Sequence, residues 1–380
     1  AERRAAGRSA KPDYCFPNTL FELLALESAI RADETDGYAH YYIGNWLYDK
    51  RRHQEAIANW EAAVRSSCAG FATVHRNLAL AYYNKLGDAE AALRSLETAF
   101  ACGPDDARVL YELDQLYKKI GRPAAERVSK LEEYAELVGK RDDLYLERVA
   151  LLNALGRHEE AAAALAVRKF HPWEGGEGKT TGQHVLSRVE WAKREMEDGR
   201  FEKAAGLLRE ALVYPENLGE GKLSGAQENN IYYYLGCAYL GMNEPEEARK
   251  HFAVASQGLE EPTSAMYYND QPPDMIFYQG MAWQKLGNEA EARRRFNKLI
   301  EYGEKHLFDD VKFDYFAVSL PDFLVFEDDL NKRNEIHCRY MMGLGWIGLG
   351  RYDRAKEELD AALALDPNHQ GAATHRKLCE

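Results

Sequence analysis

The chain has 380 residues, 46% hydrophobic and 29% charged, which is typical of a folded protein and not of a disordered one. Its formal net charge is −13, so we expect no nucleic-acid partner, because a duplex binder needs a basic surface. An acidic membrane surface is disfavoured for the same reason, and no apolar run approaches the roughly 20 residues that span a bilayer. None of the six cysteines belongs to a C-x-x-C pair. Cysteines scattered in this way are typical of proteins in a reducing compartment, so we expect a cytoplasmic location.

The first predicted element is an amphipathic helix over Leu20–Ile30, in an N-terminal segment that comprises residues 1–36. No partner helix precedes it. We interpret it either as the second half of a repeat or as a docking segment that covers the first complete repeat.

A pair of helices joined by a tight turn then recurs along the chain. In the clearest copy, Met341–Trp346 leads through Gly350 to Ala355 and to a stop at Pro367. Apolar residues recur at three- and four-residue spacing, and no long stretch alternates with the period of a strand. The pattern resembles the tetratricopeptide repeat, whose period is about 34 residues. It predicts an all-α right-handed superhelix, a solenoid of about eight helical hairpins.

Loop lengths divide this array into parts. Residues 37–169 hold repeats with short connections, although the copy that turns at Gly121 has a degraded second helix through Leu137. Residues 170–367 hold repeats interrupted by four insertions, which in repeat proteins often map to the binding face. Residues 368–380 form a short polar helix, which we interpret as a solvating cap.

The first two insertions, Phe170–Gln183 and Pro215–Gln227, share a Gly-Glu-Gly-Lys core and are called the twin loops below. Their candidate ligand-binding residues are Trp173, Glu174, Glu177, Lys179, Glu220 and Lys222. Two interpretations stay open. Either the carboxylates contribute to a sugar site, as paired carboxylates do in glycoside cleavage, or the charged residues fasten the loops by helix capping and ion pairs.

The first twin loop superficially resembles a nucleotide P-loop. That motif is excluded, because Trp173 stands where its first glycine is needed and no buried strand precedes the loop. The glycine amides can still form a small anion-binding nest, with Lys179 assisting.

The other two insertions, Leu259–Asp274 and Tyr302–Glu335, are rich in aromatic residues. Within the third insertion the candidate ligand-binding residues are Tyr268, Asn269 and Asp270. The aromatic side chains either pack the insertions onto the repeats or stack on a sugar or a peptide.

The concave face is a separate candidate site, because the first helix of each tetratricopeptide hairpin lines the inner surface. Placing the copies in register puts the following residues there: Tyr41, Asn45, Tyr48, Arg76, Tyr83, Asn84 and Tyr111. Of these, Tyr41, Asn45 and Arg76 are our candidate ligand contacts. Tyrosine offers contact area and a hydroxyl at low entropic cost, but ordinary packing between repeats also explains these residues.

No cofactor, metal site or catalytic residue is predicted. The histidines lack the H-E-x-x-H spacing, the acidic runs lack that of a calcium loop, and there is no G-x-S-x-G elbow. We therefore expect no enzymatic activity of this chain.

Four longer strings resemble the C-terminal part of a family of large bacterial proteins, in which a galactose-mutarotase-like domain of unknown function precedes tetratricopeptide repeats. The strings are Phe170–Lys179, Tyr214–Lys222, Gln271–Gln279 and Asp314–Phe323. The resemblance implies that the chain is the repeat-bearing half without its β-sandwich, in a carbohydrate-related setting. It supplies no catalytic assignment.

Together these observations predict an interaction scaffold. It would bind a protein or peptide partner, or the N-terminal domain of its own polypeptide, through the concave face and the insertion loops. The alternative is a carbohydrate-binding or carbohydrate-processing protein whose Gly-Glu-Gly-Lys loops contribute to a sugar site. Neither interpretation involves nucleic acid or a membrane.

Overall fold

The computed structural model describes residue 12 and residues 15–173, 175–264, 270–312 and 325–380. Within these ranges every regular element is helical, and the prediction of an all-α fold is confirmed. The chain forms two compact units. Unit 1 contains the described residues up to Ile120, together with Glu136–Arg141 and the segment 325–327. Unit 2 contains Gly121–Ala135 and the described residues of 142–323 and 328–380.

Unit 1 consists of a leading helix, two complete hairpins and the first helix of a third. Its helices are α1 (Leu20–Ala32), α2 (Gly37–Asp49), α3 (His53–Val64), α4 (Ala72–Ala81), α5 (Ala89–Cys102) and α6 (Ala107–Lys119). A π-helical turn, Tyr82–Leu86, continues α4. Helix α1 begins as predicted, because Thr19 and Glu22 form a reciprocal capping box at its N-terminus.

Unit 2 contains the remaining hairpins. Its helices are α7 (Ala124–Glu133), α9 (Asp142–Ala154), α10 (His158–Val167), α11 (Lys179–Glu197), α12 (Phe201–Ala211), α13 (Asn229–Gly241), α14 (Pro245–Ala255), α15 (Pro273–Lys285), α16 (Glu289–His306), α17 (Leu330–Gly348), α18 (Tyr352–Leu365) and α19 (Gln370–Arg376). Helix α8 (Ala135–Val138) is a single turn, of which only Ala135 belongs to unit 2. The second helix after Gly121 is indeed degraded, since α7 breaks at Tyr134 before α8 begins.

In hairpins such as α2–α3 and α15–α16, a glycine on the first helix lets the large ring of the second helix approach its backbone closely. A Cβ atom at Gly44 would lie 2.4 Å from the ring of Trp60, and one at Gly280 would lie 2.4 Å from the ring of Phe296. Both aromatic rings are buried. Only glycine permits this approach of helix backbone to ring, which explains the small–large spacing in the sequence.

The polar C-terminal helix, α19, packs against first helices of several hairpins of unit 2. The Gln370 amide donates to the carbonyl of Ala150 on α9 at 3.0 Å and accepts from Gln183 on α11 at 2.8 Å. Ala372 and His375 are buried. The helix therefore has an interior face, and its role as a solvating cap stays a prediction.

Candidate functional site

Two of the predicted concave-face residues, Tyr41 and Asn45, take part in packing within unit 1. Tyr41 is buried, and its ring meets that of Phe71 edge to face at 5.1 Å. The Asn45 side-chain oxygen accepts hydrogen bonds from the Trp60 indole at 3.0 Å and from the Asn77 amide at 3.1 Å. These contacts link α2 with α3 and α4, as packing between repeats requires. Ligand binding by either residue stays a prediction.

The third, Arg76, is held by a buried carboxylate. Its guanidinium donates two hydrogen bonds to Glu112, at 2.5 and 2.6 Å, and Arg108 adds a third at 3.0 Å. The Glu112 side chain is only 1% exposed. A bidentate pair of this kind joins α4 to α6 and fixes the register of consecutive first helices.

Farther along the same helices, unit 1 holds a short segment of its own chain. The Asn84 side-chain amide donates to the carbonyl of Val325 at 2.9 Å. The Glu327 N–H donates back to the Asn84 side-chain oxygen at 2.8 Å. One asparagine thus satisfies backbone groups on both sides of Phe326, in a non-helical segment that bends at Val325 and Phe326.

Aromatic packing and charge complete this contact. The Phe326 ring meets Tyr83 edge to face at 5.0 Å and is only 1% exposed. The Lys85 ammonium forms an ion pair with the Glu327 carboxylate, and this hydrogen bond raises the pKa of Lys85. Lys119 donates to the Glu327 carbonyl at 3.4 Å. We call Tyr83, Asn84, Lys85 and Lys119 the segment-binding site.

The local backbone explains why three of these residues point to one place. The π-helical turn Tyr82–Leu86 inserts extra width into the helix at the position where it ends. Gly87 then adopts a left-handed conformation, with φ of 66°, and Asp88 caps the next helix. Turns of the π type are frequent at functional sites, because the irregular backbone re-aims side chains.

The sequence placed Tyr83 and Asn84 on this face but missed Lys85, Lys119 and the segment itself. The available signal was an Asn-Lys pair just before the turn glycine, together with a Val-Phe-Glu string inside an acidic insertion. The expectation that insertion aromatics pack onto the repeats holds for Phe326.

In unit 2 the twin loops touch each other. The Gly178 N–H donates to both carboxylate oxygens of Glu220, each at 3.1 Å, and the Thr181 hydroxyl donates to one of them at 3.2 Å. The Phe170 N–H also donates to the Asn217 carbonyl at 2.7 Å. Glu220 therefore caps α11 at its N-terminus, where the helix dipole and unpaired N–H groups favour an anion.

The anion nest expected in the first loop is thus filled by a carboxylate from the second. Burial raises the pKa of Glu220, the bonds from Thr181 and Gly178 oppose that change, and the nearby Glu177 charge adds to it. This arrangement matches the fastening interpretation of the loops for Glu220. It leaves the ligand-binding interpretation untested.

The other predicted residues of the twin loops are arranged as follows. Lys222 forms an ion pair with Glu228 and donates to the Leu212 carbonyl at 3.1 Å. Trp173 is half-buried against Gly176, where a Cβ atom would lie 2.2 Å from its ring. Exposed positions are held by Glu177 and by Lys179, the first residue of α11.

Three predicted residues lie outside the described residues: Glu174, Tyr268 and Asn269. Asp270, which follows the last two, is half-buried. The rest of the third insertion is anchored in unit 2, because Gln271 donates to the Leu259 carbonyl at 3.0 Å and the His337 ring lies 2.8 Å from the Thr263 carbonyl.

A buried tyrosine–histidine network was not predicted. The hydroxyls of Tyr234 and Tyr278 lie 3.1 Å apart, and the Tyr278 hydroxyl lies 3.0 Å from Nε2 of His375. The Tyr340 hydroxyl lies 3.1 Å from Nδ1 of the same ring. Burial lowers the pKa of His375 to about 3, so the ring is neutral. The network joins α13, α15 and α17 to α19, and tyrosines recurring on successive first helices were its signal.

Two further features bear on the class of protein. Among the helices that the structure describes, none combines the length and apolarity needed to cross a bilayer. Within the same residues, no group of three or more His, Cys, Asp or Glu side chains is arranged to hold a metal ion.

Comparisons with known proteins agree with the repeat prediction. Tetratricopeptide-repeat family models match residues 41–107, 274–302 and 339–369, and confirm that the chain contains such repeats. Repeats of this type are interaction modules, so these matches support a protein-interaction scaffold.

Several solved structures match part or most of this chain, each at low sequence identity. A tetratricopeptide repeat protein from Parabacteroides merdae is 16% identical, with a TM-score of 0.33 over 68% of this chain and 90% of that one. YrrB, described as a tetratricopeptide protein with an unusual peptide-binding site, is 16% identical, with a TM-score of 0.33 over 61% and 90%. The Naa15/Naa10 complex bound to HypK-THB is 10% identical, with a TM-score of 0.44 over 92% and 61%.

Proposed function

We propose that the chain is a protein-interaction scaffold in which unit 1 binds a non-helical peptide segment of a partner protein at the segment-binding site. One observation carries the proposal: Asn84 pairs with a backbone carbonyl and a backbone N–H of a non-helical segment, at 2.9 and 2.8 Å. Backbone recognition of this kind is independent of side-chain identity, so it suits a surface that binds peptides.

The rest of the site supports the same proposal. Tyr83 provides an aromatic surface, and Lys85 and Lys119 provide positive charge beside the backbone contacts. These side chains come from the ends of successive first helices, α4 and α6, whose relative position is fixed by the Arg76–Glu112 pair. A site on a rigid scaffold binds with less loss of entropy than one on a mobile loop.

The test is a selection from a random peptide library on the full chain carrying Phe326→Ala, which weakens the internal contact. We expect enriched peptides that lose binding when Asn84→Asp is added, because the aspartate cannot donate to a peptide carbonyl. Asn59→Asp, on α3 of the same unit, is the matched control and should leave binding unchanged. Enriched peptides that ignore Asn84, or no enrichment at all, would contradict the proposal.

The resemblance suggests one partner to test first, a galactose-mutarotase-like domain of the same polypeptide. Calorimetric titration of such a domain into the chain should give Asn84-dependent heat if that domain presents the peptide. Domain binding that Asn84→Asp leaves unchanged would argue for a different surface.

No enzymatic activity is proposed, since tetratricopeptide repeats generally serve as non-catalytic scaffolds. Glu220 and Lys222 contact other residues of the chain, and these contacts give no support for a sugar site. The carbohydrate alternative therefore stays a prediction. A cytoplasmic location remains part of the proposal.

A further inference from the structure

We infer that the segment-binding site recognises an aromatic residue followed directly by an acidic residue, and that Val325-Phe326-Glu327 is an internal copy of this motif that competes with the partner. This inference rests on the proposed function and adds the chemistry of the partner peptide to it. Each of the three positions is read differently by unit 1.

The first position is read through its backbone alone. The contact that Asn84 makes with Val325 is a hydrogen bond to the carbonyl oxygen, at 2.9 Å. Any residue supplies that acceptor. We therefore expect the partner sequence to vary here.

The second position requires a large apolar side chain, and the Tyr83 ring favours an aromatic one. Phe326 is 1% exposed and meets Tyr83 edge to face at 5.0 Å, so almost all of its surface is removed from water. A polar or charged side chain at this position would lose its contact with water against the Tyr83 ring. That loss is unfavourable unless the side chain finds a hydrogen-bond partner. A small side chain would leave a cavity beside the ring.

The third position requires a negative charge. The Glu327 carboxylate pairs with Lys85. Lys119 donates to the carbonyl of the same residue. These two cations lie together in a chain whose net charge is −13, so an acidic side chain is attracted here and a lysine would be repelled.

The internal segment can be displaced. Glu327 is 61% exposed in its pair with Lys85, and an exposed ion pair contributes little to stability. A segment attached to the same chain nevertheless acts at a high effective concentration, on the order of millimolar for a short flexible connection. A partner peptide in solution must therefore compete with it. The apparent affinity of the peptide is its intrinsic affinity multiplied by the fraction of sites that the segment leaves open.

The test compares two forms of the full chain in binding a fluorescein-labelled peptide with the sequence of residues 325–330, Val-Phe-Glu-Asp-Asp-Leu. One form is the wild type, and the other carries Phe326→Ala and Glu327→Ala, which vacate the site. Fluorescence anisotropy should give a dissociation constant about tenfold lower for the vacated form, as expected when the segment occupies the site nine-tenths of the time. Circular dichroism checks that both forms are folded.

Peptide variants test the motif. Replacing the peptide phenylalanine by alanine, or its glutamate by lysine, should weaken binding to the vacated form at least tenfold. Replacing the peptide valine by threonine should change it less than twofold. In the protein, Asn84→Asp is nearly isosteric and should abolish binding without unfolding unit 1. Lys85→Ala, at a partly exposed position, should also weaken binding of the peptide, because it removes the partner of the peptide glutamate.

The outcomes separate this inference from the proposed function. If library-selected peptides bind through Asn84 but the Val-Phe-Glu peptide does not, the motif is wrong and the proposed function stands. If no peptide binds the vacated form in an Asn84-dependent way, both are overturned. If the wild type and the vacated form bind the peptide equally well, internal competition is refuted.

Discussion

Replacing Glu220 by alanine removes the cap that the second twin loop provides for α11. The carboxylate accepts from the Gly178 N–H at 3.1 Å and from the Thr181 hydroxyl at 3.2 Å. Loss of an N-terminal cap costs about 1–2 kcal/mol. Glu220 is half-buried, so we expect Glu220→Ala to reduce the free energy of local unfolding by roughly this amount.

Hydrogen exchange at the Gly178 amide measures this cost directly. A loss of 1–2 kcal/mol corresponds to a decrease in protection of roughly 5- to 30-fold. The matched control is Glu177→Ala, which removes an exposed carboxylate from the first twin loop, beside Gly178, and whose effect should stay within about 0.5 kcal/mol. Equal protection in the two variants would refute the assignment of Glu220 as the cap.

The pH dependence provides a second reading of the same carboxylate. Burial raises the pKa of Glu220 in the folded chain. The pH-dependent part of its contribution to stability is therefore fully present below the unfolded pKa, about 4.3, and is lost as the pH rises through the folded value, whereas the hydrogen bonds of the cap are still accepted by the ionised carboxylate. Glu220→Gln keeps an acceptor oxygen and cannot ionise, so it should cost less than the alanine variant and remove this part of the pH dependence.

Three further predictions concern stability. Glu112→Gln should destabilise unit 1 by about 3–5 kcal/mol in thermal unfolding, because it leaves Arg76 without its buried carboxylate, and a loss below 1 kcal/mol would contradict this. Burial lowers the pKa of His375 to about 3, so the free energy of unfolding should fall as the pH drops below about 6.5. In thermal unfolding at several pH values, His375→Gln should show a smaller fall, and an equal fall would contradict the role of His375. Gly280→Ala should lower the free energy of unfolding by about 1–3 kcal/mol, because its methyl group would overpack against Phe296. Gly206→Ala, with open space around its Cβ position, should instead stabilise α12 by up to about 1 kcal/mol. Equal effects of the two variants would contradict the close packing of Gly280 against Phe296.

The hairpins were predictable because their signal is local. A glycine such as Gly280 and a large residue such as Phe296 recur at fixed spacing, and this spacing reflects contact between two adjacent helices. The degraded helix before Tyr134 was visible for the same reason, as a loss of that spacing.

Contacts between distant parts of the sequence were not predictable. Asn84 and Val325 are 241 residues apart, and no periodicity relates an insertion to the helix end that receives it. The echo between the twin loops did indicate that they are neighbours. It did not indicate that Glu220 would occupy the N-terminus of the helix begun by the other loop, because that depends on how the hairpins are aligned.

Two contacts of the chain with itself differ in how firmly they are held: the packing of α19 within unit 2 and that of the segment 325–327 within unit 1. In unit 2, α19 is anchored by His375, which is 4% exposed and lies within hydrogen-bonding distance of Tyr278 and Tyr340, so its release would leave buried polar groups unpaired. In unit 1, the segment 325–327 buries one aromatic ring and ends in an ion pair whose carboxylate is 61% exposed. Water can replace that pair at little cost, and a partner peptide can replace the ring. Of these two internal contacts, the one in unit 1 therefore has the properties of a reversible binding site, and the one in unit 2 has those of a structural core.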